Sequence, residues 1–141
     1  MFSYNSKRRG TKGLDRKYLV WALAYVVLGM GLGIYMAASK NHTQHITHAH
    51  ILLVGFVVSF IYAVIHKLWL GGTVSRLAAV QFVVHQVGAL MMFSGLFLLY
   101  GGFVPEAQIE LILAPSTFIV FTAALLMIAM VLKRPSMVAT S

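Results

Sequence analysis

The sequence predicts an all-α membrane protein: four transmembrane helices in an up-down antiparallel arc, with both termini cytoplasmic. Three observations predict it. Of 141 residues, 60% are hydrophobic and 10% are charged, whereas soluble domains carry about 25% charged residues; mean hydropathy is +0.85. The apolar residues gather into four runs, Tyr18–Ala38, roughly His48–Leu70, Leu77–Tyr100 and Ile109–Leu132, each near the ~20 residues that cross a bilayer. The basic residues collect at one end of that pattern.

Each element follows from local chemistry. Residues 1–17 form a basic segment holding Lys7, Arg8, Arg9, Lys12, Arg16 and Lys17. The apolar run behind it is long enough to span and lacks a small-residue cleavage pattern, so it reads as an anchor and not a signal peptide. Inside hydrocarbon every backbone group must be satisfied within its own segment, which makes each run a helix. The first run carries Gly29, Gly31 and Gly33, small residues that permit close helix contact. The second opens in a histidine cluster and ends at His66, Lys67 and Trp69. Trp21 and Trp69 fit an interfacial aromatic belt. The link Leu70-Gly71-Gly72-Thr73 leads to the third run, and Gly101-Gly102-Phe103-Val104-Pro105 to the fourth. Links this short force antiparallel neighbours. Pro115 is expected to kink the last helix. The methionines read as lipid-facing or packing residues. The domain therefore covers 18–132, and 133–141 is a cytoplasmic tail.

Ten of the eleven basic residues fall on one side of this topology; Lys40 alone falls on the other. The positive-inside rule makes the first side cytoplasmic. Glu106, Glu110 and the histidine cluster then lie outside. The net charge of +8 is confined to loops and does not form a nucleic-acid surface. With no cysteine, disulfides, thiolate metal sites and covalently attached c-type haem are excluded.

Four of the six histidines, His42, His45, His48 and His50, fall within nine residues. Histidine is expensive in a bilayer and is the commonest metal ligand. His48 and His50 are two apart, about 200° around a helix, and so face different neighbours. If the helix begins early, His42, His45 and His48 align along one edge where copper or zinc could bind. His85 lies inside the third run with Gln81 and Gln86 near it. It is a further cofactor-binding candidate, at a second site or on a proton path, or else a hydrogen-bonded core residue beside those glutamines. By helical rise it lies about 12 Å from the level of His50, too far to share one iron. His66 reads as an interfacial basic residue.

The run His48-Ala49-His50-Ile51-Leu52-Leu53-Val54-Gly55-Phe56 resembles the ligand helix of the haem-copper oxidase superfamily, whose catalytic subunit contains three four-helix arcs. In that superfamily an H-x-H pair holds two haems on opposite helix faces. Gln81-Phe82-Val83-Val84-His85 resembles the following family helix, with Gln81 standing where a histidine is common. The chain lacks the family's paired histidines and its His-Pro-Glu-Val copper motif. The resemblance implies one third of an oxidase core. It implies b-type haem held by His48 and His50, and electron transfer or sensing of gas or redox state. Three copies would rebuild the ring, with His48 of one facing His50 of the next. Lys40, Asn41 and Gln44 are the polar groups near enough for the propionates.

Other classes stay open. One is a copper- or zinc-binding protein of metal delivery or oxidase assembly, using His42, His45, His48 and His50. Others are a minimal oxidase or nitric oxide reductase, and an accessory subunit without a cofactor. The expected setting is a bacterial inner membrane with the histidine cluster periplasmic. The expected partners are the bilayer, a homotrimer and an unidentified redox protein.

Overall fold

The computed structural model describes residues 13–71 and 75–133. The basic segment up to Lys12, the centre of the second link with Gly72 and Thr73, and the tail from Arg134 lie outside the described residues.

Helix α1 spans Leu14–Ser39, α2 His45–Leu68, α3 Arg76–Tyr100 and α4 Glu106–Lys133. All four are long and apolar enough to cross a membrane. Three begin several residues before their apolar runs. Most of the added residues are polar, among them Asp15 and Glu106 in first turns, where a carboxylate complements the helix dipole. Ser75 caps α3 by accepting a hydrogen bond from the Ala78 amide at 3.0 Å. Lys40 ends α1 in the left-handed conformation (φ 55°), and Gly71 and Gly102 take positive φ in the later links. Helix α4 continues unbroken through Pro115.

The contacts show alternating directions. Along α1, Tyr18 meets Tyr62, Gly29 abuts Leu52 and Gly33 abuts His48, so α1 and α2 run antiparallel. Gly88 abuts Ile119 and Val120, and Gly95 abuts Leu113, which sets α3 antiparallel to α4. Helix α3 reaches all the others, through Gln81 to Tyr18 and Ala123 and through His85 to Ser59. One apolar cluster, with Leu14, Tyr18, Tyr62 and Met127, fills the end where α1 begins; a second, with Tyr25, Met92, Phe93 and Leu96, lies toward the histidine end. Outside, Ile34, Leu53, Phe118 and Leu132 are exposed. A soluble monomer does not expose such a belt; together with four helices long and apolar enough to cross a membrane, it supports a membrane protein.

The three glycines of α1 differ. Gly29 and Gly33 share a face and meet α2, whereas Gly31 meets nothing within 4 Å, as helical periodicity requires. A Cβ at Gly88 would lie 2.8 Å from Ile119 Cγ2 and 3.0 Å from the Val120 backbone nitrogen. We expect Gly88→Ala to lower stability in detergent by about 1–3 kcal/mol, as overpacking does. Gly31→Ala should be neutral or stabilise by up to about 1 kcal/mol. Thermal melts of both variants check the pair.

Candidate functional site

The histidine end is built on the first turns of α2. Gln44 donates from Nε2 to the Phe97 carbonyl at 3.0 Å, and Thr47 donates to Gln44 Oε1 at 2.7 Å. Both residues are buried. They pin the start of α2 to the end of α3 and so fix the rotation of every side chain that follows. Gln44 thus commits one amide N–H and one oxygen lone pair within the bundle.

Three histidines then use Nδ1 in the same way. His48 Nδ1 lies 2.8 Å from the Gly29 carbonyl of α1, His50 Nδ1 2.9 Å from the Ile46 carbonyl, and His45 Nδ1 2.9 Å from the His42 carbonyl. A carbonyl only accepts, so Nδ1 carries the proton and donates in each. The lone pair of a neutral ring is then on Nε2. The Nε2 atoms of His48 and His50 have no hydrogen-bond partner among the described residues. This is the arrangement in which a metal-ligating imidazole is held by an outer hydrogen bond. His48 and His50 are half-buried, His42 and His45 exposed.

His48 is seated most firmly. A Cβ on Gly33 would come within 2.9 Å of its Cε1, so the ring rests on α1 where only glycine leaves room. Immediately after His50 the helix widens into a π-helical stretch, Ile51–Val57. Nothing in the apolar run announces it. Such stretches often accompany functional sites. Among the described residues no three His, Asp or Glu side chains gather where they could hold one metal ion.

Deeper in the bundle the polar side chains pair across helices. Tyr18 donates to Gln81 Oε1 at 2.5 Å, and Gln81 Nε2 donates to the Ala123 carbonyl at 3.2 Å. Tyr25 donates to Gln86 Oε1 at 2.6 Å. The glutamines thus serve tyrosines of α1. His85 instead pairs with Ser59 of α2, Nε2 to Oγ at 3.0 Å, and packs on Tyr62 at 5.0 Å between centroids. Ser59 is nine residues beyond His50, about 13 Å at 1.5 Å per residue, which sets His85 at a separate level from the histidine cluster.

His66 differs from its expected interfacial setting. It is fully buried and stacked on Tyr18 at 5.5 Å and 22°. The physical reason is the face it occupies: Ser59, Tyr62 and His66 are spaced i, i+3, i+7 and all point inward. Tyr18 and Tyr25 are likewise seven apart on α1. This spacing of polar residues within apolar runs is the signal that could have exposed the seam. Compared with known proteins, the chain matches no family model, no curated protein and no solved structure.

Gln81 offers a direct energetic test. Tyr18→Phe leaves the buried Gln81 oxygen without its donor and should cost about 1–3 kcal/mol. Adding Gln81→Leu removes the orphaned amide, so the double variant should lose less than the sum of the singles. A double-mutant cycle by denaturation in detergent measures the coupling.

Proposed function

We propose that the chain is a haem b-binding integral membrane protein, similar to one third of a haem-copper oxidase core, that carries electrons or senses a diatomic gas or redox state. The observation that supports this reading is the pair of half-buried imidazoles two residues apart. Each is held through Nδ1 by a backbone carbonyl, and each keeps an Nε2 lone pair without a partner among the described residues. A bound haem would supply one-electron iron chemistry, and holding its iron through His48 and His50 would favour electron transfer over oxygen reduction.

The residues fit such a group. His48 is oriented by Gly29 of α1, whereas His50 is oriented from within its own helix. The two rings, about 200° apart around the helix, do not converge on one iron within a chain. A cyclic homotrimer resolves this, with His48 of one copy and His50 of the next as the two ligands. The hydrogen bonds from Nδ1 hold each ring's tautomer and orientation, and the Gly33 contact fixes the depth of His48. Lys40 and Asn41, both exposed at this end, are the polar groups for the propionates. In this reading His85 belongs to the core and not to the ligand set. The charge asymmetry orients the termini to the cytoplasm of a bacterial inner membrane, with the histidine end periplasmic.

Optical spectra of the detergent-purified protein, oxidised and dithionite-reduced, test the reading. We expect a low-spin b-type spectrum with roughly one haem per chain, lost in His48→Ala and in His50→Ala. A colourless protein from haem-replete cells overturns it, and metal retained by that protein would instead indicate copper or zinc binding. A monomer holding stoichiometric haem overturns the trimer. Gly33→Val should displace the His48 ring and broaden or abolish the reduced α band, while Gly31→Val leaves the spectrum unchanged.

A further inference from the structure

At the end of the bundle where α1 begins, an open groove of about 550 Å³ runs between α1 and α2. Leu19, Phe60, Val64 and Leu68 form its walls, and Asp15, Arg16 and Lys67 its mouth. From Phe60 to Leu68 it follows about 12 Å of helix at 1.5 Å per residue. Half of a ~30 Å hydrocarbon core is about 15 Å, so the groove tracks most of one leaflet's depth. Trp69, exposed two residues past Lys67, marks the headgroup level at the mouth. What fits here is apolar along its length and polar at one end.

The mouth decides which polar end fits. Arg16 and Lys67 bring two positive charges and Asp15 one negative, a net charge of +1. Lys67 Nζ lies 3.9 Å from Asp15 Oδ2 and its side chain stays 74% exposed, so that pair is loose and solvent-screened. The Arg16 guanidinium has no partner among the described residues. A guanidinium presents a fork of donors that matches two oxygens of one phosphate, and an ammonium adds a point charge. A zwitterionic headgroup brings no net charge to offset theirs, whereas an anionic one brings one. Basic pockets between transmembrane helices hold anionic headgroups for this reason.

We propose that this groove seats one anionic phospholipid, its phosphate between Arg16 and Lys67 and an acyl chain along Leu19, Phe60 and Val64. Asp15 keeps Lys67 at the mouth and accepts a hydrogen bond from a headgroup hydroxyl, such as the glycerol of phosphatidylglycerol. The seated chain fills the space between α1 and α2 and fastens that end of the bundle. Neither haem nor oligomeric state enters the proposal.

Lipid titration of the full chain tests it. The protein, stripped of lipid in detergent, is given phosphatidylglycerol, phosphatidylethanolamine or inorganic phosphate, and is read by native mass spectrometry and thermal melts. One phosphatidylglycerol per chain should be retained, about fivefold or more tightly than phosphatidylethanolamine, and the melting midpoint should rise with its occupancy. Arg16→Gln combined with Lys67→Gln should erase that preference. Lys17→Gln, which removes a charge outside the groove, should keep it. Val64→Trp should fill the groove and lower retention of both lipids. Equal retention of the two lipids, or a preference that survives the double substitution, overturns the anionic headgroup site. Retention unchanged in Val64→Trp, or stabilisation by inorganic phosphate equal to that by phosphatidylglycerol, overturns the seated chain. The comparison of the two lipids on the unmodified chain decides if the double variant fails to fold.

Discussion

An amide in hydrocarbon that finds no partner costs several kcal/mol, and Gln81 meets that demand from two sides at once. Its oxygen accepts from Tyr18 and its nitrogen donates to the Ala123 carbonyl, so one side chain ties α1, α3 and α4. Lipid tails are as apolar as leucine, so helices in a bilayer gain little from burial alone and associate through close packing and internal polar bonds. Both devices appear here. Glycines let backbones approach on α1 and α3, and the tyrosine–glutamine and serine–histidine pairs set which faces meet.

The same constraint governs the histidine end. Gln44 and Thr47 fix how α2 enters the bundle, and the Gly29 carbonyl fixes the ring of His48. The orientation of His48 therefore depends on two neighbouring helices, that of His50 on one. Rings held in this way keep little rotational freedom, which is what preorganisation means for a side chain. The π-helical stretch beyond His50 interrupts the regular ladder where α2 passes Tyr25 and Phe93, with Gly55 giving way to both rings.

Much of the fold was legible because the bilayer imposes it. Four apolar runs of spanning length, short glycine-bearing links and helix as the sole backbone solution leave few alternatives. The helix starts were less legible: Asp15, His45 and Glu106 are polar, so hydropathy ends before the helix does. His48 and His50 stood out by residue type, but their acceptors did not, since a backbone carbonyl leaves no mark in a sequence. The buried seam was obscured for a different reason. His66 sits beside Lys67 and looks interfacial, and only its spacing from Ser59 and Tyr62 reveals that it points inward. Gln81 and Gln86 flank His85 along the chain, yet their partners are tyrosines about sixty positions away.

The acceptor that orients His48 has an evolutionary consequence. It is the peptide oxygen of Gly29, an atom that every amino acid supplies. No point substitution can delete it in the way that replacing an aspartate deletes a carboxylate. On α1 the orientation is vulnerable to crowding: a side chain at Gly29 would strike Leu52, and one at Gly33 would strike the imidazole itself. Drift among descendants of this chain is thus filtered by volume at Gly29 and Gly33, whereas Tyr18 and Tyr25 on the same helix must keep their hydroxyls.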